Sequence, residues 1–205
     1  MSVNQVVINN HLDQLASVDR DVASALRQVG YPEPRVRPAG FETLLSTIIS
    51  QQLSTHAAAT IRQRVFDSLR EINADALLAV DPDALRAAGM SGRKVEYARG
   101  LATAITEGHF DPDALHALDD ASAIIEITRL RGFGVWSAEI YLMFSLGRPD
   151  IFPADDLALQ VALQKLKNLE NKPTTRAARD LTAHWSPWRS SASLLLWRFY
   201  QGAPG

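Results

Sequence analysis

The residues best suited to chemistry are two adjacent carboxylates, Asp155 and Asp156, which follow a glycine turn, Gly132-Phe133-Gly134. A held carboxylate stabilises positive charge as it develops and can orient or deprotonate a water. Free backbone N–H groups at the start of a helix form an anion site. The turn could therefore grip a phosphate while an acid works near it. Each feature also has an ordinary alternative. A GxG turn also suits a tight helical hairpin with no ligand, and an Asp before an amphipathic helix often serves as its N-cap.

The elements that must hold these residues read as helices. Ile124, Ile125, Ile127 and Leu130 close one apolar stripe, and a second helix is expected from about Val135 to Leu146. Glycines at both Gly132 and Gly134 permit positive φ, so the two helices can reverse in a few residues. The first N–H groups of the second helix are then free, with Ser137 close by. Gly147 suits the C′ position that ends this helix. Arg148 to Ala154 is a proline-marked loop. Leu157, Leu159, Val161, Leu163 and Leu166 mark the helix that the two acids open.

The remaining chain follows the same periodicity. Val6, Val7 and Ile8 suggest a short extended arm, and Asp13 to Val29 a helix closed by Gly30. Tyr31 to Pro38 carries three prolines and reads as a linker. Phe41 to Leu53 is a helix, and Ser54 caps the next. Asp81-Pro82 starts a short helix that stops at Gly89, and Ser91 caps a longer one over Gly92 to Glu107. Pro112 to Leu118 and Ala121 to Arg131 follow. Thr174 and Thr175 open a helix to His184. Ser186-Pro187 reads as cap and first residue of the last helix. The chain is thus all-α, with about ten helices.

Composition bounds the function. A chain of 205 residues makes one or two domains with a real core. It has no cysteine, which excludes disulfides, an iron–sulfur cluster and thiolate zinc sites. The net charge of −2 is not the usual look of a DNA-binding domain. Its distribution is uneven, however. Lys165 to Arg198 holds seven basic residues against two acidic ones, and Arg86, Arg93, Lys94 and Arg99 form another group. A modest basic face is one reading, and a solvated mixed surface the other. With no signal peptide and no apolar run of spanning length, an intracellular protein without membrane contact is expected.

In order along the chain, three segments, Ile48-Ile49-Ser50-Gln51-Gln52-Leu53-Ser54, LRGFGVWSAEIYLMFSLGRPDIFPADDLAL and Trp185-Ser186-Pro187-Trp188-Arg189-Ser190, carry a more specific signal. Together they resemble the helix-hairpin-helix, Gly/Pro/Asp superfamily of DNA glycosylases, within it the 3-methyladenine DNA glycosylase II branch. The resemblance implies two helical lobes with an intervening cleft. Residues 41–147 would form one lobe, residues 1–40 with 148–205 the other, without the N-terminal sheet domain of some relatives. It implies an enzyme that flips alkylated, cationic N3- or N7-methyl purines out of double-stranded DNA and hydrolyses the glycosidic bond.

Residue roles follow from the same resemblance. Asp156 would be the catalytic carboxylate, since Leu159 supplies the inward apolar residue three positions on, leaving Asp155 as the cap or a structural acid. Gln52 would fill the gap left by the extruded base. Gly132, Gly134 and Ser137 would hold the DNA backbone, Arg93 and Lys94 would touch phosphate, and the carbonyls of Gly132 and Gly134 a monovalent cation. Trp136, Trp197 and Tyr141 would line the base pocket, with His56 a candidate contact. No other cofactor is implied, and a monomer is expected. Bifunctional relatives carry a lysine where Trp136 stands, so the resemblance points to a monofunctional hydrolase that leaves an abasic site. Ile140 stands where some alkylbase glycosylases have an aromatic ring, which implies a more open or differently selective pocket. Two rivals remain: a glycosylase of this fold acting on oxidised or deaminated bases, and a non-catalytic hairpin module that binds distorted DNA.

Overall fold

The computed structural model describes residues 4–202. Among them are twelve α-helices, two short 3-10 turns and no strand. No helix among these residues is long and apolar enough to cross a membrane. The chain divides into two compact units. One is Arg37–Tyr141, and the other combines the described parts of Met1–Val36 and Leu142–Gly205.

The second of these units begins with α1 (Gln5–Val18) and α2 (Arg20–Val29). The expected extended arm at Val6 to Ile8 is instead the first turns of α1, where Asn4 caps the chain by accepting from the Val7 N–H. The expected single helix over 13–29 is broken at Asp19. Neither glycine nor proline marks the break. The Asp19 side chain caps α2 through the N–H groups of Asp21 and Val22. Its second oxygen accepts from Lys167 Nζ, Trp185 Nε1 and His184 Nε2 at 2.8–2.9 Å. Those partners come from far along the chain, so local periodicity could not foresee the break.

The Arg37–Tyr141 unit is built on α3 (Phe41–Ser50), α4 (Thr55–Asp67), α5 (Ala74–Ala79), α6 (Pro82–Ala87) and α7 (Gly92–Thr106). Their apolar faces meet in a core that includes Leu45, Ile49, Val65, Leu77, Leu85 and Ala98. The helix α5, missed by periodicity, is short and capped by Asn73. At the end of α3 the Lys94 ammonium donates to the Ile49 carbonyl at 2.7 Å, satisfying one of the helix's orphan acceptors. Burial lowers the pKa of that lysine.

The hairpin joins α8 (Asp120–Thr128) to α9 (Val135–Phe144). Of its two glycines only Gly132 has positive φ, at +95°. A Cβ there would also lie 2.4 Å from the Tyr97 ring. Gly134 has an ordinary backbone, and a Cβ on it would meet nothing within 4 Å. Its carbonyl accepts from the Ala138 N–H, opening α9. The helix expected to reach Leu146 ends at Phe144; beyond it Gly147 takes φ +65°, and the Arg148 N–H reaches back six residues to the Leu142 carbonyl, one residue wider than a Schellman motif.

The chain ends with α10 (Leu157–Leu166), α11 (Thr175–Thr182) and α12 (Arg189–Gln201), with α10 packed on α12. The last helix does not start at Pro187 as expected. The Ser186–Pro187 peptide is cis, and the helix begins at Arg189. The Ser186 hydroxyl donates to Asp150, which also accepts the Arg189 N–H and both sides of its guanidinium. A distant carboxylate thus satisfies the helix start in place of the local serine.

Two consequences can be measured. Burial alone would raise the Asp19 carboxyl, but the bonds from Lys167, Trp185 and His184 outweigh it and leave the pKa far below its usual value. That stabilisation is full above the unfolded value of about 3.9 and is lost as pH falls from there through the native value. Wild type should lose stability below about pH 4. In urea melts, Asp19→Asn should flatten that slope and cost about 2–4 kcal/mol at neutral pH. A second comparison separates the glycines. Gly132→Ala should lower stability by about 2 kcal/mol or more through backbone strain and the Tyr97 clash, whereas Gly134→Ala should change it by less than about 0.5 kcal/mol.

Candidate active site and DNA-contact residues

In the unit that holds the C-terminal helices, the loop before α10 delivers the two acids in different states. Asp155 is exposed and accepts a hydrogen bond from the Thr175 hydroxyl at 2.5 Å. Asp156 is partly buried, and it is Asp156, not Asp155, that caps α10. Its Oδ1 accepts the Leu159 N–H at 3.0 Å. The same oxygen accepts the indole N–H of Trp197, on α12, at 3.1 Å. The cap and the proposed reactive acid are therefore one residue. An N-cap chooses the register in which its carboxylate reaches the N3 amide, and position 156 has that register.

The loop itself is braced from inside. Gln160, 6% exposed, donates through Nε2 to the Ala154 carbonyl at 2.6 Å. Its Oε1 accepts from Lys172 Nζ at 2.5 Å. Sequence reading passed over Gln160 as one polar residue in an amphipathic helix. Its signal would have been a lone amide on the apolar side.

Around Trp197 the structure adds two residues that the sequence did not suggest. Phe144 lies 5.8 Å from it between ring centroids, tilted by 45°. Arg35, from the proline-rich linker, places its guanidinium 5.5 Å from the ring centroid. Both also line a pocket of about 260 Å³ with Val7, His11, Met143, Arg148 and Ser191, among others. Neither Asp156 nor Trp197 lines that pocket, so it is not where a ligand would meet the carboxylate.

In the Arg37–Tyr141 unit the corner after α3 and the hairpin are joined. Gln51 Nε2 donates to the Gly132 carbonyl at 2.7 Å. Gln52, next to it, is exposed with φ +56°, a left-handed conformation that lifts its side chain out of the helix path. Gly134 and Val135 are exposed, and Ser137 is buried. Trp136 is 42% exposed, whereas Tyr141 is 3% exposed. Five residues apart on α9, they face different sides of the helix. Burial pushes the Tyr141 phenol pKa up, and its oxygen accepts the Gly40 N–H at 2.7 Å. In this conformation Tyr141 offers a ligand little surface. His56 is exposed on the first turn of α4.

The carbonyls of Gly132 and Gly134 each carry one hydrogen bond already, from Gln51 and from Ala138. A carbonyl oxygen has two lone pairs. One lone pair on each is left. No cluster of His, Cys, Asp or Glu suited to a metal occurs among the described residues.

The basic residues, read from the sequence as a modest face or a solvated mixed surface, largely find partners within the fold. Most of the cations between Lys165 and Arg198 are engaged within the fold. Lys167 binds Asp19 and Asp21, Lys172 binds Gln160, and Lys165 sits over the Tyr200 ring. Arg189 clamps Asp150, and Arg198 donates to the Val29 carbonyl. In the earlier group, Arg99 donates to the carbonyls of Leu78 and Val80, and Lys94 to Ile49. Neighbours in sequence are not neighbours in charge field.

Comparison with known proteins shows the family. The model of the HhH-GPD superfamily of base excision DNA repair proteins matches residues 45–187, a span that includes the Gln51-Gln52 corner, the hairpin and both acids. The protein YfjP of Bacillus subtilis is 31% identical over 166 residues, 77% of this chain and 58% of YfjP. DNA-3-methyladenine glycosylase 1 of Schizosaccharomyces pombe is 28% identical over 192 residues, 90% of this chain and 84% of that protein. A solved structure of Schizosaccharomyces pombe 3-methyladenine DNA glycosylase in complex with abasic DNA superimposes with a TM-score of 0.81 at 27% identity, covering 92% of this chain and 95% of that one. The chain thus spans less than two thirds of one of these relatives and most of the other two. With a family match over that span, the chain belongs to the HhH-GPD superfamily of base excision DNA repair proteins.

Proposed function

We propose that this protein is a DNA glycosylase that excises alkylated purines from double-stranded DNA by hydrolysis. The observation that carries the reading is the Asp156 carboxylate, oriented by the Leu159 N–H and the Trp197 indole. The relatives named as 3-methyladenine glycosylases, one solved with abasic DNA, support the substrate class.

The base must leave the stack to be reached, at a cost of a few kcal/mol. Gln52, exposed at a left-handed corner, fills the gap, and Gln51 ties that corner to the hairpin. The N–H groups at the start of α9 hold the strand by phosphate contact, and Gly134 leaves room for a close approach. A monovalent cation, if bound, would be held by the Gly132 and Gly134 carbonyls and would supply positive charge facing the strand.

An N3- or N7-alkylated purine is cationic, and an aromatic face attracts a cation by about 0.5 to 2 kcal/mol, more than it attracts a neutral base. Trp197 supplies such a face in this reading, and Trp136 and His56, exposed on their own helices, are further candidate contacts. Tyr141 contributes by holding Gly40 at the entry to α3. A cationic base leaves readily, so the sugar needs the help as it becomes oxocarbenium-like. Asp156 stabilises that charge and orients the attacking water. No amine stands at Trp136, so no Schiff base forms and an abasic site is left. The protein works as a monomer.

Base release from methylated duplex DNA tests this directly. Asp156→Asn keeps an oxygen to cap α10, so the fold and DNA affinity should persist while release falls by about 100-fold or more. Wild type that binds DNA yet releases nothing would leave only a binding module. Borohydride should trap no covalent protein–DNA adduct during turnover. Gly134→Ala should weaken DNA affinity several-fold at unchanged stability, because its new methyl group would stand where the phosphate approaches.

A further inference from the structure

Trp197 is 8% exposed, so a ligand that stacks on it must first displace something. Among the described residues three groups make a ring, cation–π or hydrogen-bond contact to it: Phe144, the Asp156 carboxylate and the Arg35 guanidinium. Phe144 is a buried core residue, and Asp156 is locked as the α10 cap. Arg35 differs from both. It is exposed, it lies outside any helix, and it sits in a linker beside Pro34. Among the described residues its guanidinium has no hydrogen bond or carboxylate partner, and the Trp197 ring is its one close electrostatic contact.

We propose that Arg35 is a displaceable plug: in the free protein its guanidinium occupies the face of Trp197 on which the extruded base stacks, and it must swing away for the base to enter. The inference rests on the reading of Trp197 as the wall of the base pocket. A surface-exposed cation–π contact is weak, so the plug is light, resisting entry by about two- to five-fold. Its effect on selectivity follows from the order of events. Every base must displace the same guanidinium, so the resistance is common to cationic and neutral bases. The preference for cationic bases comes from the ring that the plug uncovers. An arginine that stayed on the ring would act differently, because its charge would oppose a cationic base and leave a neutral one nearly untouched.

Single-turnover base release separates these behaviours, with duplexes carrying 7-methylguanine or the neutral base hypoxanthine. For Arg35→Ala, the rate constant divided by the half-saturating protein concentration should rise about two- to five-fold for both bases, with their ratio unchanged. Arg35→Lys should fall between, since an ammonium still visits the ring. Affinity for undamaged duplex should stay at the wild-type value, and the melting temperature should fall by no more than about 2–4 °C, the loss of one weak cation–π contact. A gain confined to 7-methylguanine would show a fixed wall and overturn the plug. So would no gain for either base, or a loss of affinity for undamaged duplex, which would make Arg35 a strand contact. Wild type that releases neither base would overturn the glycosylase reading and the plug together, whereas an active wild type with an unresponsive Arg35→Ala would overturn the plug alone.

Discussion

A single oxygen, Oδ1 of Asp156, accepts hydrogen bonds from the backbone at the start of α10 and from the indole of Trp197 on α12. The two helices pack against each other, and this shared acceptor couples that packing to the orientation of the acid. The carboxylate cannot rotate without uncapping one helix and leaving a buried indole N–H without this acceptor, and an unmet buried donor costs about 1–3 kcal/mol. From below, Gln160 holds the Ala154 carbonyl and with it the loop that ends in the acid pair. A carboxylate held this way is positioned by the same bonds that fold its unit, which keeps it within a narrow range of orientations.

The hairpin achieves its rigidity differently. Tyr97 packs where a side chain on Gly132 would stand, and Gln51 binds the carbonyl of the same residue. The turn is clamped on its inner side, while Gly134 is left open to the outside. The two glycines look alike in sequence and do unlike work. One meets a demand of this chain's own packing, and the other leaves space that nothing in the chain fills.

Charge is used inward more than outward. Asp19, Lys167, Asp21 and His184 lace the α1–α2 break to the end of α10 and the turn before α12. Arg189 and Asp150 pin the start of α12. In a protein of net charge −2, much of the basic side-chain inventory of the C-terminal helices serves the fold. Under the proposed function, grip on a polyanion would rest on backbone N–H groups and close approach more than on a basic patch.

From the residues alone came the all-helical class, the hairpin, most helix spans and the family resemblance, because helical period, capping and glycine turns are local properties of a chain. The interruption at Asp19, the helix α5, the displaced start of α12 and the cap at Asp156 were not legible in the same way. At Asp19 and Arg189 the deciding partner lies over a hundred residues, or about forty, along the chain. A side-chain oxygen can serve a local amide or a distant donor, and only packing determines which it meets. The same holds for Arg35 over Trp197 and for the basic residues that turned inward. Residue type and spacing limited which chemistry the chain could carry, and the tertiary structure decided which partner each side chain meets, since hydrogen-bond partners are chosen by proximity in space.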